Sequence, residues 1–255
     1  MRTAVLLVLY VLIIILVTPV LLACMLAGVR EPIMFIGKWA MGLGRIVLGI
    51  KLDVEGLDRF GRQDTYVFMA NHLSFLDGPV LYYVIPRFPR VIIKKSIFRV
   101  PVLGQGMNFV GFVPVDRKRI RGGKASIDRA SRLMRERGYS FLIFPEGTRS
   151  RNGRIQPFRR GGFFLALAAG APIVPVSING TFDLMPKGHF IARRGATRVA
   201  FHPPIPVDGY NRGNMGGLMT AVKTAIESGL DEPHRSTPAP EPAPVAENIK
   251  GETHD

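Results

Sequence analysis

The chain has 255 residues, 47% of them hydrophobic, with Lys+Arg 34 against Asp+Glu 19 and a formal net charge of +15 at pH 7. That is room for one sizeable α/β domain or two small ones with a real core, and it excludes disorder as the overall state. The charge points to anionic partners such as headgroups, phosphates or nucleic acid, and a single cysteine, Cys24, excludes an internal disulfide framework or a zinc cluster.

In chain order, the first feature is "AVLLVLYVLIIILVTPVLLACMLAG", Ala4 to Gly28, which carries no charge. It meets the roughly 20 apolar residues that a bilayer-spanning helix needs. Pro19 is expected to kink it, or to end a shorter segment that enters and returns. A secretory signal is the alternative, with Arg2 ahead of the run and Ala23 before Cys24, but signal cores are usually about 7 to 15 residues. Next, Ile33 to Ile50 is apolar apart from Lys38 and Arg45, which are seven apart and share a helix face, so it reads as interfacial. Residues 1–50 are therefore predicted to be a membrane-anchoring segment, a transmembrane helix or helical hairpin. Arg30, Lys38, Arg45 and Lys51 follow the apolar run, which favours leaving the downstream domain on the cytoplasmic side of a membrane, the inner membrane if the source is bacterial.

Residues 51–230 alternate short β-like runs with helix-like ones, the pattern of an α/β domain with a mostly parallel or mixed central sheet covered by helices. The predicted strands are Thr65 to Ala70, Arg90 to Lys94, Phe109 to Val115, Ser140 to Pro145, Pro172 to Ile178 and Arg198 to His202. The predicted helices are Ser74 to Val84, Lys124 to Arg137, Gly161 to Ala169 and Gly213 to Glu227. Residues 231–255, rich in Pro, Ala and charge, read as a disordered tail.

Three strand ends carry polar groups. After the first comes "MANHLSFLDG", with His72 and Asp77 five apart. On a regular helix these would diverge by about 140°, so they converge only if His72 lies outside the helix and Asp77 in its first turn. Ser74 as N-cap, in an S-x-x-D pattern, gives that start. An Asp accepting from one ring nitrogen leaves the other as a general base. Arg117 follows the strand ending at Val115, and its planar fork suits a phosphate. "FPEGTRS" then places Glu146, Gly147, Thr148 and Arg149 after an apolar strand. There Gly147 permits close approach, Thr148 and Arg149 offer donors, and a buried Glu146 calls for a partner such as an arginine of the site.

"NHLSFLD", "GFVPVDR", "FPEGTRS" and "IVPVSING", in this order, resemble the four blocks of the PlsC-type glycerolipid acyltransferases, the 1-acylglycerol-3-phosphate O-acyltransferase family. The resemblance spans roughly Tyr66 to Gly180. It implies a glycerolipid acyltransferase-like fold and transfer of a fatty acyl group to the sn-2 hydroxyl of 1-acylglycerol 3-phosphate, giving phosphatidic acid. His72 would be the catalytic base and Asp77 its orienting partner. Arg117, Glu146, Gly147, Thr148 and Arg149 would hold the acceptor's phosphate and shape the site, and Pro175 would line the acyl or acceptor pocket. No metal or cofactor is implied; acyl-CoA or acyl-carrier protein is the donor substrate, and the partners are a phospholipid membrane and a lysophospholipid.

Within that reaction class, another lysolipid such as a lyso-ornithine lipid, or glycerol 3-phosphate, remains an alternative acceptor. A different class is a non-catalytic basic membrane-binding protein. Nucleic-acid binding is disfavoured by the absence of a recognition helix or aromatic RNA-binding signature, and a lipid esterase by the lack of a G-x-S-x-G elbow.

Overall fold

The computed structural model describes residues 1–62, 64–116 and 120–236. Two helices come first, α1 (Arg2–Ala27) and α2 (Glu31–Leu48), followed by β1 (Ile50–Glu55), β2 (Val67–Ala70), α3 (Asp77–Val84) and β3 (Arg90–Lys94). Then come α4 (Leu103–Phe109), β4 (Val113–Val115), α5 (Ile120–Arg137), β5 (Phe141–Ile143), α6 (Gly161–Ala169), β6 (Ile173–Asn179), α7 (Thr181–Leu184), β7 (Gly195–Phe201) and α8 (Met215–Ser228). The seven strands form one sheet in the order β1-β7-β6-β2-β5-β3-β4. Neighbours are parallel except β6 and β7, so the sheet is mixed, as expected.

The central strands are apolar along their length because the sheet is covered on both faces. In β2, Val67 and Met69 pack with Phe163, Leu218 and Val222 on one side. Phe68 and Ala70 face the other way, onto Val80, Leu81 and Phe201.

Several elements differ from the sequence expectation. β1, "IKLDVE", is an unexpected strand; its burial alternates because it is an edge strand with one covered face. The expected strand from Phe109 shortens to Val113–Val115 because 103–109 are helical. Two of those seven residues are glycines, poor helix formers, kept there by contact. A Cβ on Gly104 would sit 2.1 Å from the Phe98 carbonyl oxygen, and Gly106 packs on Leu21 of α1. α1 continues through Pro19 as one helix.

On α2 the charged stripe turns inward rather than to a surface. Lys38 Nζ donates to the Ile85 carbonyl at 2.6 Å, and Arg45 donates to the Ile50 carbonyl at 3.2 Å. Gly42 lets Tyr83 of α3 come close, while Phe35, Trp39 and Ile46 are exposed on the outer face. At the far end, residues 232–234 form a short 3-10 turn in which His234 is buried and its Nδ1 meets the Gly153 carbonyl at 2.8 Å. Packing therefore extends past the expected start of the tail at 231; residues 237–255 lie outside the described residues.

Candidate active site

Because β2, β5 and β6 run parallel, the segments that leave their C-terminal ends meet at one edge. Asn71 makes the first of these exits. Fully buried, its side chain exchanges two hydrogen bonds with the backbone of Ile178, at 2.9 and 2.8 Å, and so continues the β2–β6 ladder for one more residue. The backbone is then free to turn His72 out of the sheet.

His72 Nδ1 lies 2.8 Å from Asp77 Oδ2, so the expected convergence of the two side chains occurs. The same Oδ2 accepts the amides of Leu73 and Ser74 at 2.7 and 2.8 Å, and Oδ1 accepts the Thr181 hydroxyl at 2.6 Å. Asp77 is wholly buried, and besides the imidazole its two oxygens accept three donors. In the tautomer that donates from Nδ1 to this carboxylate, Nε2 is the ring nitrogen with a lone pair. The His72 side chain is 19% exposed, and no described residue hydrogen-bonds Nε2. Phe144 stacks on the ring, centroids 4.0 Å apart and planes 16° from parallel.

Ser74 does not cap the helix as expected. α3 begins at Asp77, with Leu76 at the N-cap position and no side-chain cap. Instead Ser74 Oγ accepts the Leu76 amide at 3.2 Å and donates to the Met185 carbonyl at 2.7 Å, tying the turn to the segment after α7. The carboxylate, rather than the hydroxyl, organises the turn.

Glu146 is 2% exposed and sits behind His72. Its oxygens accept two backbone amides, His72 N at 2.6 Å and Gln156 N at 2.9 Å, where the sequence suggested an arginine. Burial pushes its pKa from 4.5 up to about 8, the two amide bonds oppose this, and the charge of Asp77 adds to the rise. The Ser150 amide donates to the His72 carbonyl at 2.8 Å. The loop after β5 thus grips the backbone of His72 on both sides.

Gly147 has φ +72, and a Cβ there would meet the Arg159 side chain at 2.9 Å. Thr148 is exposed; the Arg149 guanidinium lies 5.8 Å from the centroid of the Phe75 ring. Lys187, which the sequence did not single out, donates to Thr148 Oγ1 at 3.1 Å and to the Arg149 carbonyl at 2.9 Å. The site edge therefore brings together His72, Asp77 and the 146–149 loop. Pro175 is elsewhere: it is buried inside β6, level with Met69 of β2. Arg117 lies outside the described residues. Asn71, Phe144, Thr181 and Lys187 were missed because nothing local marks them; Thr181 is 104 residues from the carboxylate it serves.

Compared with known proteins, residues 51–179 match the family model described as Acyltransferase. A chloroplastic 1-acyl-sn-glycerol-3-phosphate acyltransferase of Brassica napus is 39% identical over 157 residues, 61% of this chain and 45% of its own length. A human 1-acyl-sn-glycerol-3-phosphate acyltransferase alpha is 29% identical over 182 residues, 71% of this chain and 64% of its own. This chain thus spans less than half the length of the Brassica relative. Among solved structures, the 1-acyl-sn-glycerophosphate acyltransferase PlsC from Thermotoga maritima superposes with a TM-score of 0.65 at 26% identity, covering 79% of this chain and 78% of that one.

Proposed function

This chain belongs to the Acyltransferase family, and from that premise we propose that it transfers a fatty acyl group from acyl-CoA or acyl-carrier protein to the sn-2 hydroxyl of 1-acylglycerol 3-phosphate. The observation that carries the reading is the His72–Asp77 pair at 2.8 Å with Nε2 open. Nε2 takes the hydroxyl proton as the oxygen attacks the thioester carbon. The tetrahedral intermediate then expels the thiolate, which takes the proton back from the imidazolium. Asp77 stabilises the imidazolium and fixes the ring. Arg149 and Lys187, beside Thr148, supply positive charge for the acceptor's phosphate, and Arg117 is proposed to join them. The names of the relatives support lysophosphatidic acid as acceptor.

The test is acyl transfer by purified protein, with both donors and several acceptors. His72→Ala should lose activity by about 100- to 10,000-fold, the usual range for a general base. Arg149→Ala should raise KM for the phosphorylated acceptor more than it lowers kcat. A His72→Ala protein as active as the wild type, or wild-type protein that acylates uncharged acceptors equally well, would refute the reading.

We further propose that the protein is membrane-bound with α1 lying along one leaflet rather than through the bilayer. α1 is the one helix among the described residues long and apolar enough to cross. Yet the domain meets it near both ends. The Ala192 amide donates to Thr3 Oγ1 at 3.1 Å, Gly106 packs on Leu21, and Arg30, just past its end, donates to the Phe109 carbonyl at 3.0 Å. A helix of 26 residues is about 39 Å long at 1.5 Å per residue. Crossing roughly 30 Å of hydrocarbon with these contacts kept would drag the domain's polar backbone into lipid.

A further inference from the structure

At the sheet edge opposite His72, where β5 begins, α4 ends at Phe109 and α5 at Arg137 around a half-open cavity of about 130 Å³. Its lining includes Arg30, Asn108, Arg129, Arg137 and Tyr139 and contains no carboxylate. Behind it stands a fourth cation. Arg90 is 8% exposed, its guanidinium lies 3.5 Å from the centroid of the Tyr139 ring, and its hydrogen bonds go to the Val110 and Phe88 carbonyls. Among the described residues no Asp or Glu oxygen comes within 4.0 Å of a nitrogen of these four arginines. Glu31, the nearby acid, accepts the backbone amide of Arg30 at 3.1 Å.

Helix C-termini attract cations, and Arg30 meets the Phe109 carbonyl at the end of α4. That accounts for one guanidinium. Arg129 makes one bond, to the neutral amide oxygen of Asn108 at 3.1 Å, and Arg137 makes no side-chain hydrogen bond among the described residues. The cavity therefore presents concentrated positive charge and unused donor forks without an anion to meet them, the arrangement that phosphate recognition requires. It is well below the ~300–1,000 Å³ of sites for drug-sized ligands, so it takes one small group.

We propose that this cavity binds the phosphate of an anionic lipid headgroup, at a site separate from the acyl-transfer edge. The inference rests on the membrane reading above. Arg30 lies three residues beyond Ala27, at the joint between the apolar helices α1 and α2. Ile97, Val100 and Leu103, at and just before the start of α4, are exposed, so the helix whose last residues line the cavity begins at apolar surface.

Vesicle flotation tests this with full-length protein on phosphatidylcholine alone and with added phosphatidylglycerol. The variants are Arg129→Ala/Arg137→Ala and a charge-matched control, Arg132→Ala/Arg135→Ala, on the same helix but outside the cavity. The wild type should bind neutral vesicles and prefer anionic ones. The cavity variant should lose about tenfold or more of that preference, since each arginine near an anionic surface is worth about fivefold. Its neutral binding and its acyl transfer in detergent should stay at wild-type levels, and the control should lose less than about threefold. Equal losses in both variants, or no loss in the cavity variant, would overturn the site while leaving the membrane reading intact. Absence of wild-type binding to neutral vesicles would remove the membrane reading and the proposal with it. Millimolar inorganic phosphate erasing the preference selectively in the wild type would assign the cavity to a soluble anion instead.

Discussion

His72 is held at every polar atom but one. Its amide goes to Glu146, its carbonyl takes the Ser150 amide, Nδ1 goes to Asp77 and the ring lies on Phe144, which leaves Nε2 open. Such fixation limits the reorganisation needed for proton transfer. Thr181→Val removes one of four donors to the buried Asp77; it should cost about 1–3 kcal/mol of stability and lower kcat with KM for the acceptor unchanged. Denaturant unfolding and steady-state kinetics would check this, and a variant altered in KM alone would contradict it. Glu146 gives a pH signature. Between its ordinary 4.5 and its value of about 8, the folded protein keeps a proton that the unfolded chain has released. Its contribution is therefore fully present below pH 4.5 and fades as pH rises toward 8. Thermal melts at pH 5, 6.5 and 8 should show a falling midpoint for the wild type and a flatter one for Glu146→Gln; identical slopes would count against it. The spacing of His72 and Asp77 made their pairing legible in the sequence, since five residues across a helix start permit one convergence. The partners of Glu146 were not legible, because they are backbone amides, which every residue carries.

Among the elements, the short turn between β6 and α7 bears most directly on the site. Gly180 has φ +83, and a Cβ there would lie 2.3 Å from the Ala196 carbonyl oxygen, so neither conformation nor space admits a side chain. Gly180→Ala should destabilise the fold by about 2 kcal/mol or more and displace Thr181 from Asp77. Equilibrium unfolding with an activity assay would measure both, and an unchanged midpoint would show that the turn can relax. The strands buried on both faces were readable as apolar runs, and β3 (Arg90–Lys94) and α6 (Gly161–Ala169) have the expected bounds. α4 was not readable, because its glycines are chosen by the neighbours Phe98 and Leu21 rather than by helix propensity. The direction of α2 was also hidden: periodicity shows that Lys38 and Arg45 share a face but cannot say that the face turns to α3.

On the scale of the whole molecule, the mixed α/β sheet and the leading apolar helix follow from the sequence pattern, whereas the lie of that helix depends on contacts between residues far apart. If α1 rests in one leaflet, both of its ends stay on the domain's side. With Cys24 replaced by Ala, single cysteines at Ala4 and Val29, both exposed, should both react with a membrane-impermeant thiol reagent added on that side; protection of one end alone would favour a spanning helix. The outermost strand adds a matter of timing. Ile50 of β1 pairs with Gly195 of β7, 145 residues later, and β7 is the strand beside β1 in the sheet. At ribosomal speeds of about 5–20 residues per second, roughly 7–30 s pass before that partner is made. The apolar helix therefore leaves the ribosome while the edge beside it is still unpaired, and the nascent domain closes only when its last strand slots in between β1 and β6. Nascent chains stalled before Phe201 should be cut readily near β1 by added protease, and chains released after it should resist.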